Sequence, residues 1–288
     1  MRLALGTAQF GSSYGVANTS GQVPLTQVQT LLDLARKHGV DTLDTAIGYG
    51  QSEAVLGQGG TSGFRLITKL PALPEDIEAV EPWVSQQVKA SMDRMRAPKI
   101  HGLLLHRPTQ LLQPKGAALA QALRSLQEKG WVERVGISIY APEELEPVLQ
   151  VFTPDLVQAP LNLVDRRLVE SGWLARLQAM GVAVHARSIF LQGLLLMPRE
   201  ARPPQFAAWQ PLWQQWQEWL DAHSEHSPQS ACLAYALSHP AIERVVVGVD
   251  NPQQFEQLVQ TLQCEPIGWP DLACDDLRLI NPSHWQSL

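Results

Sequence analysis

The chain has 288 residues, 45% of them hydrophobic and 17% charged, which is enough apolar material for one large core or at most two domains. Its formal net charge is −6, and its basic residues form no run, which excludes the electrostatic footprint of a nucleic-acid or anionic-membrane binder and favours a small ligand. Cys232, Cys264 and Cys274 show no Cys-x-x-Cys spacing, and no apolar run is long enough for a signal peptide or a membrane span, so a soluble protein of the reducing cytoplasm is expected.

Taken in chain order, short apolar runs alternate with stretches of helical period. Strands are predicted at Arg2–Leu5, Asp41–Asp44, Phe64–Lys69, Ile100–Leu105, Arg134–Ser138, Leu156–Gln158, Val182–Ala186 and Arg244–Gly248. Each run is nearly continuous rather than alternating, as strands buried on both faces of a parallel sheet require. Helices are predicted at Leu25–His38, Ser52–Leu56, Val80–Met95, Gly116–Lys129, Pro142–Val151, Val169–Met180, Pro228–Leu237 and Pro252–Leu262. Ser227-Pro228 and Asn251-Pro252 carry an N-cap followed by proline at the first helical position. Gly39, Gly130 and Gly181 suit the left-handed residue that ends a helix. Eight such units over residues 1–288 predict an α/β fold in a single domain, a (β/α)8 TIM barrel. An open doubly wound sheet is the alternative, but no Gly-x-Gly-x-x-Gly follows the first strand.

One segment interrupts the alternation, from Leu194 to Glu225, between the seventh strand and its helix. Proline-rich coil gives way to FAAWQPLWQQWQEWLDAH, in which Trp209, Trp213, Trp216 and Trp219 share one helical face. The segment is read either as an extra packed helix or as a lid, since long loops of this kind sit at a barrel's mouth.

Barrel chemistry sits at the carboxyl-terminal strand ends, and three consecutive strands each bring a polar residue there: Asp44 closes DTLD, Lys69 closes FRLITK, and His106 follows HGLLL. Tyr49 stands between Gly48 and Gly50, five residues after Asp44, on a loop whose glycines are expected to let the backbone turn sharply over the same rim. A lysine held near a phenol favours the phenolate, and an aspartate beside that lysine keeps it charged and aimed. Such a phenol can pass a proton to a developing alkoxide.

These residues, with LALGTAQFG, DTLDTAIGYGQSEAVLG, LITK, LLLHRP, VGISIY, VQAPLNLVDRR, HARSIFLQGLL and VVVGVDNPQQFEQL in order along essentially the whole chain, resemble the aldo-keto reductase family of (β/α)8 enzymes. The resemblance implies an NAD(P)H-dependent oxidoreductase that reduces an aldehyde or ketone, with Tyr49 as proton donor, Lys69 and Asp44 tuning it, and His106 orienting the carbonyl. It also implies a cofactor groove in which Gly6, Thr7 and Asp44 lie at the rim, Ser138 and Gln158 hold the nicotinamide carboxamide, Ser188, Gln192 and Gly193 pass over the pyrophosphate, and Gly248 to Gln254 wrap the adenosine. Asn162 and Arg166 fall where the family keeps polar residues, with a structural turn the equal alternative.

The sequence departs from the family pattern at four places. Ile139 replaces an asparagine that often follows the serine, and Arg187 stands where a tyrosine commonly stacks on the nicotinamide, a cofactor contact that its guanidinium plane can also make. The adenosine segment offers Val249, Asp250 and Gln254 and no cation for a 2′-phosphate, while Gln257 and Leu258 replace the usual Glu-Asn pair. The cofactor expected from the family is NADP(H), with NAD(H) brought into question by the missing cation. The Trp-rich insertion and Trp285 are the candidate apolar wall for a small-molecule carbonyl substrate, such as a sugar or sugar derivative. The alternative function is a nicotinamide-binding sensor with little turnover.

Overall fold

The computed structural model describes residues 1–263 and 268–287; Cys264 lies outside the described residues. Eight parallel strands close into a barrel in sequence order: β1 (Leu3–Gly6), β2 (Thr42–Asp44), β3 (Arg65–Leu70), β4 (Ile100–Leu105), β5 (Val132–Ser138), β6 (Leu156–Pro160), β7 (Ala183–Arg187) and β8 (Arg244–Gly248). β1 completes the circle against β8, with Leu3 beside Val245 and Gly6 beside Gly248. Every predicted strand is present, two of them with the predicted ends and the rest displaced by at most two residues.

The helices in chain order are α1 (Ala8–Gly11), α2 (Leu25–Lys37), α3 (Ser52–Gly59), α4 (Val80–Met95), α5 (Gly116–Glu128), α6 (Leu145–Leu149), α7 (Arg167–Glu170), α8 (Trp173–Ala179), α9 (Gln210–Ala222), α10 (Pro228–Leu237), α11 (Pro252–Gln260) and α12 (Leu277–Ile280). Helix ends follow the sequence chemistry. Ser227 and Asn251 accept from the backbone N–H three residues on, and Gly39, Gly130 and Gly181 are left-handed at φ 72°, 71° and 72°. Two predicted helices are broken. Pro142–Glu144 forms a 3-10 turn before the short α6, and Gly172, at φ 78°, divides Val169–Met180 into the end of α7 and α8.

The main core lies between barrel and helices. α2 shows why: Val28, Leu31, Leu32 and Ala35 recur at helical spacing and are all buried. Each leucine buried in this way contributes on the order of 2 kcal/mol. Inside the barrel a separate, smaller apolar plug is formed by Ile67, Leu104 and Leu156, with Ala183 packed on it. Side chains on a strand alternate with period two, so the inward position next above Ile67 is Lys69, above Leu104 is His106, and above Leu156 is Gln158, while Arg187 is two inward positions above Ala183. The plug is therefore roofed by polar groups, and the site begins where the apolar interior ends.

Candidate active site

At the carboxyl-terminal end of the barrel lies a cavity of about 810 Å³, a size ordinary for a small-molecule site. The catalytic and cofactor-contact candidates from the sequence line it: Gly6, Thr7, Asp44, Tyr49, Lys69, His106, Ser138, Gln158, Arg187, Ser188, Gln192, Gly193, Gly248 and Gln254.

The floor is a buried charge pair. Lys69 Nζ donates to Asp44 Oδ1 at 2.7 Å and to the Thr45 carbonyl at 2.8 Å, with the lysine 1% and the aspartate 4% exposed. Burial is the largest single influence and opposes the ammonium, but the charge and hydrogen bond of Asp44 together with the nearby Tyr49 outweigh it and hold Lys69 above its usual range. Gln158 Nε2 donates to the other carboxylate oxygen, Asp44 Oδ2, at 2.6 Å. A carboxylate only accepts, so this bond fixes the amide orientation and turns Gln158 Oε1 away, buried and without a partner. Ser138 lies beside Gln158 in the β5–β6 register.

Above the pair stands Tyr49, its ring centroid 5.2 Å from Lys69 Nζ. His106 meets it edge-on with centroids 6.0 Å apart. Burial, then Lys69 and Arg187, push His106 down to about 4, so its imidazole is neutral at ordinary working pH and offers one N–H donor.

The Tyr49 loop is held from beneath. The Tyr49 carbonyl accepts from the Ser52 N–H at 3.0 Å, and Ser52 Oγ donates to the Thr7 carbonyl at 2.8 Å while sharing hydrogen bonds with Thr7 Oγ1 and Thr45 Oγ1. Gly50 is left-handed at φ 55°, with its Cβ position 2.5 Å from the Gly11 carbonyl, so both conformation and space require glycine. Gly48 needs neither, having an unexceptional φ and open space around it, which corrects the expectation that both glycines shape the turn. Gly11 is the one the sequence did not reveal, since a Cβ there would lie 1.7 Å from the Tyr49 carbonyl.

The loop after β7 is unusual backbone. Ser188, Leu191 and Gln192 are non-glycine residues at φ 60°, 48° and 54°, followed by Gly193 at 89°. Left-handed residues of this kind cost of order 1 kcal/mol or more each and cluster where a ligand is clamped. Asn162 secures the loop, donating from Nδ2 to the Ser188 carbonyl at 3.0 Å while its Oδ1 accepts from two backbone N–H groups. Arg166 bonds the Leu163 and Pro270 carbonyls and lies over the Tyr235 ring. Neither residue lines the cavity, so both belong to the turn.

At the opposite end Asp250 pairs with Gln254, and Gln9 also hydrogen-bonds its carboxylate. The Asp250 N–H donates to Gln254 Oε1 at 2.8 Å, and Gln254 Nε2 reaches Asp250 Oδ2 at 3.4 Å. Burial raises Asp250 above the ordinary carboxylate range. Gln257 and Leu258 also line this end, and among the described residues no cation does.

Arg187 does not lie free in the cavity. Its guanidinium stacks on Tyr140 at 4.7 Å and donates to the Ile139 carbonyl at 2.9 Å and Ser188 Oγ at 3.1 Å. Tyr140 and Tyr14 both line the cavity and neither was singled out from the sequence, where an aromatic in a loop carries no mark of its neighbours. Tyr14 exposes 40% of its surface, yet desolvation of its hydroxyl, followed by Tyr49 nearby, pushes it up to about 12, and it stays a neutral phenol.

The tryptophans are not the cavity wall. Trp213 and Trp216 are buried, and their indole N–H groups donate to the Phe206 and Leu195 carbonyls. Trp285 packs edge-on against Phe206 at 4.8 Å and donates to the Leu279 carbonyl. The packed-helix reading of α9 holds, and the expectation of an indole wall is corrected. An amphipathic helix with four indoles has more apolar surface than a lid can leave wet, so it turns that face inward, against the Leu195 and Phe206 segments. Leu196, Met197, Pro198 and Ala201, from the coil before α9, supply the lining instead.

Comparison with known proteins agrees with this geometry. The family model described as "Aldo/keto reductase family" matches residues 2–267. A curated relative, "Uncharacterized oxidoreductase YqkF" of Bacillus subtilis, is 24% identical over 276 residues, covering 89% of each chain. The chloroplastic pyridoxal reductase of Arabidopsis thaliana is 30% identical over 135 residues, 41% of this chain and 36% of that protein. Among solved structures, an aldo-keto reductase from Bacillus halodurans in its holo form superposes with a TM-score of 0.73 at 19% identity, covering 96% of this chain and 95% of that one. A glycerol dehydrogenase from Gluconobacter oxydans gives 0.72 at 21% identity, covering 92% and 88%.

Proposed function

The chain belongs to the aldo/keto reductase family and is an oxidoreductase, and on that premise we propose that it reduces an aldehyde or ketone to an alcohol with a nicotinamide dinucleotide, Tyr49 delivering the proton. The observation that carries this reading is the buried Lys69–Asp44 pair lying under Tyr49 with a neutral His106 at its edge. The neighbouring glycerol dehydrogenase and pyridoxal reductase names make polyol- and aldehyde-type substrates, sugar derivatives among them, reasonable first assays.

The residues present suit the cofactor. Gln158 Oε1 is a buried acceptor without a donor, and it sits beside Ser138, so the two form a matched receptor for a carboxamide. Gly6 and Gly248, paired on β1 and β8, line another side of the rim without a side chain to fill it, and the left-handed run Ser188 to Gly193 would cover the dinucleotide's middle. When bound, the dinucleotide supplies hydride to the carbonyl carbon.

The protein's own groups handle the oxygen. The His106 N–H donates to the carbonyl oxygen and places it near the Tyr49 hydroxyl, which gives up its proton as negative charge develops there. Lys69 stabilises the phenolate left behind. Asp44, bonded to both Lys69 and Gln158, keeps the ammonium charged and in place. At the adenosine end, the Asp250 carboxylate and the lack of a cation oppose a 2′-phosphate, which favours NAD(H) over the NADP(H) expected from the family at large.

Oxidation of NADH and NADPH, followed at saturating aldehyde with Tyr49→Phe as control, tests the reading. Turnover that depends on Tyr49 is expected. Tight cofactor binding with no Tyr49-dependent turnover would instead identify a nicotinamide-binding sensor.

A further inference from the structure

The charges around the proton donor do not balance. Among the residues lining the cavity, the basic ones are Lys69, His106 and Arg187 and the acidic ones Asp44 and Asp250. Lys69 is neutralised by Asp44, His106 carries no charge near neutrality, and Asp250 is occupied with Gln254 at the other end. Arg187 remains, and among the described residues no carboxylate forms an ion pair with it. Its charge is felt at Lys69, His106 and Tyr14, which places it at the proton-donor end of the cavity.

Its hydrogen bonding is equally incomplete. A guanidinium has five N–H groups; two are used, on Ile139 and Ser188, which leaves three without a protein acceptor among the described residues. Tyr140 covers one face of the group and the Ile139 bond pins its direction, so the side chain is held in place without its charge being met. A fixed, half-buried, uncompensated guanidinium with free donors matches the planar fork that binds carboxylate or phosphate bidentately. Tyr14, neutral and adjacent, adds a phenolic donor.

Resting on the reductase reading above, we propose that Arg187 recognises an anionic group, carboxylate or phosphate, on the carbonyl substrate, and that this enzyme acts on acidic aldehydes or ketones in preference to neutral ones of the same shape. The Tyr140 stack is the positioning element, and Tyr14 is the second donor to the anion. Sugar-derived carbonyl compounds bearing an acid or phosphate fall within this class.

The test compares matched probes. The pair 4-carboxybenzaldehyde and 4-methylbenzaldehyde differs in charge at similar shape, and glyceraldehyde 3-phosphate against glyceraldehyde provides the phosphate arm. In the wild-type enzyme kcat/KM for the anionic member of at least one pair should exceed its neutral partner by about tenfold or more, the worth of one charged hydrogen-bonded contact. Whichever arm shows it identifies the anion. Arg187→Leu should collapse that ratio toward one, and Arg187→Lys, which keeps the charge and loses the fork, should retain part of it.

Calorimetric titration with benzoate, benzamide and inorganic phosphate supplies a readout independent of turnover. Benzoate or phosphate should bind the wild type and fail to bind Arg187→Leu, with benzamide indifferent to the change. If no aldehyde is turned over but that Arg187-dependent binding is seen, the reductase reading fails and the anion site stands. An unchanged ratio in Arg187→Leu overturns the proposal, as does weaker NADH binding with unchanged anion binding, which would assign the guanidinium to the cofactor.

Discussion

Gln158 donates its amide N–H to Asp44 at 2.6 Å and thereby leaves its own amide oxygen buried with no donor to meet. The same bond that braces the carboxylate thus creates the unsatisfied acceptor that a carboxamide would fill. Replacing Gln158 with Leu removes both at once. The expected result is a loss of about 1–3 kcal/mol of stability, because Asp44 Oδ2 loses a charge-assisted donor, together with weaker cofactor binding. Urea denaturation and fluorescence titration with NADH measure the two separately.

The Lys69–Asp44 pair can be divided into its structural and chemical parts. Lys69→Met leaves a carboxylate buried and unpaired and should cost about 3–5 kcal/mol. Combining it with Asp44→Asn removes the stranded charge and should restore much of that stability. Turnover should remain absent in the double variant. Recovery of activity together with stability would reduce the pair to scaffolding.

The depressed His106 has a pH consequence whose sign is fixed. A histidine at 6.5 when unfolded and about 4 when folded takes up its proton more readily in the unfolded state, so its contribution to stability is complete above about pH 6.5 and is lost as pH falls toward 4. Unfolding free energies measured at pH 7 and pH 5 should therefore differ less in His106→Asn than in the wild type. The kcat profile should show no acidic limb near 6.5 from this residue.

Asp250 bears on cofactor choice. Asp250→Ser removes an anion from the end of the cavity where no cation lies, and should shift the ratio of NADPH to NADH dissociation constants by about tenfold toward NADPH, roughly one charge interaction at short range. Adding salt should narrow the wild-type difference.

The packed position of Trp216 predicts damage to stability rather than to specificity. Trp216→Ala opens a large cavity in the core and should cost about 3–5 kcal/mol. For whatever folded enzyme remains, KM for aldehydes should move less than with Met197→Ala, since Met197 lines the cavity and Trp216 does not.

The sequence showed most of the floor and little of the walls. Asp44, Lys69 and His106 were legible because a polar residue closing an apolar strand stands out against the run that precedes it. Tyr49 was visible only by its distance from them. Tyr14 and Tyr140 reach the cavity from loops, where no periodicity reports direction, and Gly11 matters through a contact with Tyr49, 38 positions on, that no local pattern contains. The tryptophans misled for a related reason: a helical stripe shows that a face must be covered, and says nothing of whether barrel or ligand covers it. The split at Gly172 escaped notice because the apolar spacing continues across it.

Lys69 and Asp44 stand on the neighbouring strands β3 and β2 and Gln158 on β6, so two short hydrogen bonds tie that adjacent pair to a strand across the barrel's mouth. The parts that would choose a substrate hang from other segments: Tyr14 after α1, Tyr140 after β5, Met197 before α9. Division of labour of this kind lets the two halves of the site change at different rates. Substitutions in the loops can retarget the enzyme without disturbing the proton chemistry, and a laboratory search for new activities should begin at those three positions and leave the cross-barrel tie untouched.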